Sequence, residues 1–476
     1  MSAPITAKLL QKYSHPIPRY TSYPTAPHFS DKVDAQQFEA SLLALPNGQA
    51  LSLYFHIPYC DTLCWFCGCH TKITQKYQPI AEYLLALKAE ITSIAKLLSQ
   101  QGKNYLVSHI HFGGGSPTIL SPRDFADLMA HVKTNFNLAD AAEIAVEIDP
   151  RGIEDEMLKA LAVSGVNRIS VGVQDFDPEV QKAINRIQTF AETQQVIDRL
   201  ANLGVNKVNI DIIYGLPKQT KAKIIDTVRQ SLALNIDRIA LFGYAHVPWM
   251  KTHQKLILPE DLPQIEQRFE QAEAVSQYLQ ARGFRHIGLD HFAKADDPMA
   301  IADKTGQLKR NFQGYTTDSA PALIGFGASS ISSLPDGYFQ NQPSLPSYMQ
   351  AANDGALPTV KGIILTNEDH VRRDIIEKIM CQLAISKPEI TAICHKYNQP
   401  TNQLVAEFEQ LEKFAVDGLV NRHADKFVIP PHMRAFLRVI AAHFDANLTP
   451  TSTVQLQNNQ QTDTSPSHKG RHSLAI

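Results

Sequence analysis

At 476 residues, and about 150 residues per domain, the chain has room for about three domains, or for one large domain with appendages. Hydrophobic residues at 44% against 19% charged, with no run near the roughly 18 apolar residues of a membrane-spanning helix, exclude a membrane span and lead us to expect a soluble globular protein. Lys and Arg number 45 against 47 Asp and Glu, a formal charge of −2, so no global field gathers nucleic acid or anionic membrane, and an acidic ligand must be held by local residues.

Met1 to His15 lacks the basic and then apolar pattern of a secretory signal, so the expected compartment is the cytoplasm. From about residue 50 to about 290, strand-like and helix-like segments alternate. The predicted strands are Leu51 to Ile57, Leu106 to Phe112, Glu143 to Ile148, Asn167 to Val173, Val205 to Ile213, Asp237 to Tyr244 and Phe284 to His291, rich in Val, Ile and aromatics. The predicted helices are Pro79 to Gln100, Ser121 to Phe136, Ile153 to Val163, Thr189 to Leu203, Lys221 to Leu234 and Pro259 to Arg282. Strand then helix, repeated with short connections, implies an α/β fold with parallel strands. Periodicity does not report closure, so an open doubly wound sheet and a barrel both satisfy it.

After residue 360 the pattern turns helical, with helices expected over Glu368 to Ile385 and Gln403 to Asp417 and a hairpin over Gly418 to Ile429, a small domain of winged-helix type at 361–450. Residues 451–476 are rich in Gln, Asn, Ser and Thr and poor in large apolar groups, so a disordered tail is expected.

Of six cysteines, Cys60, Cys64, Cys67 and Cys69 fall within ten residues, directly after the first predicted strand. In a cytosolic chain, clustered thiols read as metal ligands or redox groups rather than disulfides. The CxxxCxxC spacing of Cys60, Cys64 and Cys67 suits three irons of a [4Fe-4S] cluster, leaving the fourth iron open. Cys69 offers a fourth thiol, so a closed site, structural zinc or a simple electron-carrying cluster, stays an alternative. The single residue between Cys67 and Cys69 makes a four-thiolate grip cramped.

The second strand runs into Gly113, Gly114 and Gly115, which permit close approach of a ligand to the backbone but also suit a plain turn. Glu147 and Asp211, near strand ends, can meet a ligand's ammonium or ribose hydroxyls, or serve as surface or capping acids. Arg186 can fork onto a carboxylate or make a surface ion pair. No GxxxxGK[ST] phosphate loop occurs. Trp65 and Phe66 either shield a cluster from water or anchor the cysteine loop.

The cysteine spacing, followed one strand later by Gly-Gly-Gly-Ser-Pro, resembles the radical S-adenosylmethionine superfamily. The segments Pro18-Arg-Tyr-Thr-Ser-Tyr-Pro24, Tyr54-Phe-His-Ile-Pro58, His111-Phe-Gly-Gly-Gly-Ser-Pro-Thr118, Glu147-Ile-Asp-Pro-Arg151, Gly172-Val-Gln-Asp-Phe176, Asp211-Ile-Ile-Tyr-Gly-Leu-Pro-Lys218 and Arg310-Asn-Phe-Gln-Gly-Tyr-Thr-Thr317, with the extra Cys69, narrow this. In that order they resemble the oxygen-independent coproporphyrinogen III oxidase family. The resemblance implies a partial barrel of six βα units at 48–360, an extension at 1–47 lying over the active site, and the small helical domain behind. It also implies a monomer in the cytoplasm, fed electrons by a donor such as flavodoxin or ferredoxin.

The implied reaction is oxidative decarboxylation of two propionates of coproporphyrinogen III to vinyls, giving protoporphyrinogen IX in haem synthesis, with one [4Fe-4S] cluster and two S-adenosylmethionine molecules. A 5′-deoxyadenosyl radical takes a hydrogen from the propionate β-carbon, and loss of CO2 and one electron follows. Carried over by position, Cys60, Cys64 and Cys67 ligate the cluster, while Cys69 and Tyr20 act in turnover. Tyr54, Gly114, Glu147 and Ile331 line the cluster-bound S-adenosylmethionine. Phe66, Gly115, Ser116, Gln174, Arg186, Asp211 and Ala245 surround the second; the family commonly has Thr where this chain has Ser116. Arg19, Lys309 and Arg310 are candidates for the substrate's carboxylates. Two rivals remain: a haem-chaperone relative, which typically lacks Cys69 and the Pro18 to Pro24 segment, and a non-catalytic closed four-cysteine protein.

Overall fold

The computed structural model describes residues 5–100 and 102–448; the tail expected over 451–476 lies outside the described residues. Six strands, β1 (Ala50–Ile57), β2 (Leu106–Gly114), β3 (Asn137–Ile148), β4 (Arg168–Gln174), β5 (Lys207–Tyr214) and β6 (Arg238–Gly243), alternate with helices in chain order. Each is hydrogen bonded in parallel to the next, from β1·β2 through β5·β6. A doubly wound sheet reverses its strand order at a switch point; this one does not, which makes it a barrel wall.

The remaining strands of the sheet are β7 (Phe284–Ile287), β8 (His291–Lys294), β9 (Ala322–Phe326), β10 (Ile331–Leu334), β11 (Gly337–Asn341) and β12 (Thr359–Ile364). The order is β12-β11-β10-β9-β1-β2-β3-β4-β5-β6-β8-β7. β9 lies parallel to the free edge of β1, with Tyr54 opposite Gly325, and β10 to β12 continue antiparallel. Among the described residues the two outer strands, β7 and β12, are not paired with each other, so the barrel is partial.

One expectation needs correction. Phe284 to His291 is not a single strand but the start of a tight antiparallel hairpin, with Ile287 opposite His291. Its turn sits at Gly288, whose φ of +54° an L-residue rarely adopts, and the Leu289 N–H is taken by the Tyr315 hydroxyl at 3.1 Å. Hydrophobic pattern alone cannot tell such a hairpin from one longer strand.

Strand alternation sorts the chemistry from the core. Leu51, Leu53, Phe55 and Ile57 of β1 belong to the main hydrophobic cluster with Phe112, Val146, Ile148, Ile210 and Ile212. The intervening Tyr54, His56, His111, Glu147 and Asp211 therefore fall on the opposite, interior face. Phe55 is stacked between Phe112 and Phe326 with ring centroids 4.8 and 5.0 Å apart.

A second core unites the two ends of the chain. Leu10 and Tyr13 of the helix Ala7–Tyr13, with Ile17, Tyr20 and Tyr23, pack against Val371, Ile375, Phe408, Phe436 and their neighbours. This carboxy-terminal unit carries helices Asn367–Gln382, Lys387–Lys396 and Asn402–Glu409 and a three-stranded sheet that includes the hairpin Asn421–His423/Lys426–Val428.

The helix Gln78–Ser99 buries a carboxyl group, Glu90, at 1% exposure. It accepts from Tyr348 Oη (2.6 Å), Asn341 Nδ2 (2.6 Å) and the Gly327 N–H (2.8 Å), joining the helix to the turn after β9. Burial outweighs these donors and pushes its pKa up to about 7 from the usual carboxylate range. A raised folded pKa means the contribution is whole below the unfolded pKa and is lost as pH rises through the folded one. We expect the thermal midpoint to fall between about pH 4.5 and 7, and the slope to flatten in Glu90→Gln, as read by calorimetry.

Candidate active site

β1 leads through Pro58 into the pairing of Tyr59–Cys60 with Lys72–Ile73, which ties the cysteine loop at its base. The loop is pinned from two later βα connections. After β4, the Trp65 N–H donates to Ile184 O at 2.9 Å and Asn185 Nδ2 to Leu63 O at 2.8 Å. After β6, Gln254 Nε2 donates to Phe66 O (3.0 Å), His253 Nε2 meets Cys67 O (2.8 Å) and Lys251 Nζ donates to Cys69 O (2.9 Å).

Cys64 is buried, with Arg186 Nη1 at 3.6 Å and Arg151 Nη2 at 3.7 Å from its sulfur. Asp149 joins the two guanidiniums, 2.9 Å from Arg186 and 2.6 Å from Arg151. Burial would raise the Asp149 carboxyl, but the arginines hold it below its ordinary value. Burial pushes the Cys60 thiol up to about 12. Cys67 is held below the ordinary thiol range, chiefly by the hydrogen bond from the Cys69 thiol, and Cys69 rises in return. Cys69 is exposed, its N–H 3.4 Å from the Cys67 sulfur.

Against the loop lies the glycine triplet. The Gly115 N–H donates to Ile57 O and the Ser116 N–H to Tyr59 O, both at 2.8 Å. A Cβ on Gly114, whose φ is +113°, would lie 2.5 Å from the His56 ring, and one on Gly115 would lie 2.4 Å from Tyr59 O. Glu147 accepts the Gly114 N–H at 3.2 Å and meets His111 Nε2 at 3.0 Å. Burial opposes its ionisation, yet these partners outweigh it and hold the carboxyl below the ordinary range. The Tyr54 hydroxyl lies 3.0 Å from His56 Nδ1. Ile331 reaches this group through β9, because its backbone abuts Gly325, the residue opposite Tyr54.

A second group adjoins the first. Arg186, 6% exposed, donates to Gly172 O at 2.7 Å beneath Gln174, which has a φ of +64°. Asp211 accepts from Ser170 Oγ (3.1 Å) and Asn209 Nδ2 (2.9 Å), and burial together with the Glu147 charge raises it to about 6. Phe66 packs with Trp65, Val180, Ile184 and Tyr244, and Ala245 borders a cavity of about 440 Å³ at the carboxyl ends of β5 and β6. The Ser116 hydroxyl lies 3.1 Å from that of Thr118.

Tyr20 does not join either group. Its ring is 4% exposed within the carboxy-terminal core and its hydroxyl donates to Asp445 at 2.9 Å, while its neighbour Arg19 faces the cavity. Lys309 likewise turns away, 3.4 Å from Glu377. The reading of residue types missed Asp149, Arg151, Lys251, His253 and Gln254. Arg151 stood inside a recognised segment without a role, whereas residues 245–258 carry no periodicity that could have flagged them.

Residues 54–230 match the family model of the radical SAM superfamily. Over 434 residues, 91% of this chain and 95% of the relative, the sequence is 47% identical to an oxygen-independent coproporphyrinogen III oxidase of Bradyrhizobium diazoefficiens. The chain belongs to the oxygen-independent coproporphyrinogen III oxidase family. A family member from Synechocystis is 40% identical over 95% of this chain and 97% of its own. Among solved structures, coproporphyrinogen III oxidase from Escherichia coli, described as a radical SAM enzyme, matches with a TM-score of 0.86 and 37% identity, covering 94% of this chain and all of that one.

A [4Fe-4S] cluster and S-adenosylmethionine go with this superfamily, and the donor set fits them. Three thiols share one pinned loop, two guanidiniums stand against the Cys64 sulfur, and the glycines leave a bare backbone wall beside it. Among the described residues no three His, Cys, Asp or Glu side chains are grouped closely enough to hold a single metal ion, and no helix is long and apolar enough to cross a membrane.

Proposed function

We propose that this chain converts coproporphyrinogen III to protoporphyrinogen IX without oxygen, in haem biosynthesis, turning two propionates into vinyls with release of two CO2. The observation that carries the reading is the pinned Cys60, Cys64 and Cys67 loop set against Tyr54, Gly114 and Glu147, in a chain alike over nine-tenths of its length to named oxidases.

In this reading Cys60, Cys64 and Cys67 hold the cluster, and the cofactors together supply a 5′-deoxyadenosyl radical when bound. Every other task falls to side chains. The Arg151 and Arg186 guanidiniums offset thiolate charge at Cys64. Ionised Glu147 offers its carboxylate to a ligand ammonium, oriented by His111 and the Gly114 N–H. Tyr54 and Ile331 complete that wall. Phe66, Gly115, Ser116, Gln174, Arg186, Asp211 and Ala245 border the place of a second S-adenosylmethionine. Trp65 and Phe66 exclude water from the loop. Cys69, exposed beside Cys67, is free to exchange a proton with bound substrate. The amino-terminal extension and the carboxy-terminal unit, joined by their shared core, both contribute lining to the cavity at the carboxyl ends of β5 and β6. Action as a cytoplasmic monomer reduced by a flavodoxin or ferredoxin belongs to the same reading.

Anaerobic electron paramagnetic resonance of the dithionite-reduced protein tests the open site. The reduced-cluster signal is expected to change when S-adenosylmethionine is added; an unchanged signal from fully loaded protein would favour a closed four-cysteine site.

A further inference from the structure

The cavity beside Ala245 holds a surplus of positive charge. Arg19 from the amino-terminal segment, Arg268 from the helix Ile265–Gln280, Arg310, and Arg434 and Arg438 from the carboxy-terminal unit line it, against two carboxylates, Asp290 and Glu273. Asp290 is already engaged, 2.7 Å from His291 Nδ1. Burial opposes its ionisation, but His291, Arg310 and Arg19 hold it down to about 2.

The side chains of Arg19, Arg268, Arg310 and Arg434 donate to neutral backbone carbonyls. Arg268 Nη2 donates to Tyr244 O (2.8 Å), Arg434 Nη1 to Gly288 O (2.5 Å), Arg19 Nη2 to Gly243 O (3.3 Å), and Arg310 to Tyr20 O (3.2 Å) and Arg19 O (3.1 Å). Carbonyls fix where the forks point without cancelling their charge. Arg268 Nε and Arg310 Nη1 are buried and have no hydrogen-bond partner. Burial, reinforced by the Arg19 guanidinium, lowers Arg438 to about 10, still charged at neutral pH. Gathering several poorly hydrated guanidiniums is costly unless an anion completes them. Between them the wall is apolar, with Leu241, Phe242, Phe269, Leu289 and Phe292.

We propose that this chamber is the carboxylate-holding part of the substrate site, in which Arg268 and Arg434 grip carboxylates borne on an apolar ring system, so that the carboxy-terminal unit binds substrate directly. The proposal rests on the oxidase reading above. It assigns neither group to S-adenosylmethionine, whose proposed neighbours, Ala245 apart, are not among the residues that line the chamber.

Equilibrium titration of the cluster-loaded protein tests it without turnover. The probes are coproporphyrin III, the air-stable oxidised ring with four free carboxylates, and its tetramethyl ester, followed by fluorescence. The acid is expected to bind roughly tenfold or more tightly than the ester, as charge-assisted bonds require. Arg268→Gln and Arg434→Gln should each weaken the acid about tenfold and leave the ester and S-adenosylmethionine nearly unchanged. Arg434→Lys, which keeps the charge and loses the fork, should recover part of the loss and separates this effect from misfolding. Equal binding of acid and ester by the unaltered protein, or equal weakening of both by the variants, would overturn the proposal. Acid-selective binding in a protein that fails to decarboxylate would instead leave the chamber standing and remove the reaction assigned to it.

Discussion

Cys67→Ser is expected to give a folded protein that assembles no [4Fe-4S] cluster and has no activity, whereas Cys69→Ser keeps its cluster and loses turnover. The two sulfurs are near neighbours in sequence but not in circumstance. Cys67 sits inward on a loop whose backbone is fixed by the Cys64 carbonyl at 3.1 Å and by His253 at 2.8 Å, so the substitution removes a soft ligand and little else. Cys69 is exposed and its backbone is held by Lys251, which leaves its thiol as the part with work to do. Loss of a group that exchanges a proton with substrate costs roughly 100-fold or more in rate. Iron and sulfide content, the visible spectrum and turnover of the two variants check the division, and a Cys69→Ser protein without a cluster would contradict it.

Gly115→Ala is expected to be nearly as damaging by another route. The added Cβ would lie 2.4, 2.8 and 2.9 Å from the O, C and N of Tyr59, backbone atoms that cannot swing aside as a side chain can. Relief requires the end of β2 to part from the start of the cysteine loop, breaking the bonds from Gly115 to Ile57 O and from Ser116 to Tyr59 O. Overpacking of this kind costs about 1–3 kcal/mol even where neighbours are side chains. A lowered thermal midpoint together with S-adenosylmethionine affinity reduced by more than about tenfold is the expected outcome, and unaltered affinity would mean the triplet is a plain turn.

The alternation of strands and helices was legible because its signal is local, whereas closure into a barrel came only with the family resemblance. A strand such as β1 alternates core residues Leu51, Leu53, Phe55 and Ile57 with interior Tyr54 and His56, and helix starts carry their own caps, as where the Ser121 hydroxyl accepts the Asp124 N–H at 3.1 Å. The cysteine spacing was legible for the same reason, since a cluster loop is contiguous. What escaped was made by long-range packing. Lys251, His253 and Gln254 hold the cysteine loop from 182 to 188 residues away, and the five arginines of the chamber come from both the amino- and carboxy-terminal parts of the chain and from between. The surroundings of Tyr20 were hidden for that reason too: its ring packs in the core shared with the carboxy-terminal unit, while its neighbour Arg19 lines the cavity.

The most direct test of the central claim is anaerobic turnover. Reconstituted protein, dithionite, S-adenosylmethionine and coproporphyrinogen III are combined, and methionine and protoporphyrinogen IX are followed together by mass spectrometry. The account predicts both products, with two methionines for each protoporphyrinogen formed. Methionine released without any loss of CO2 from the porphyrinogen, by protein with an intact cluster, would contradict it.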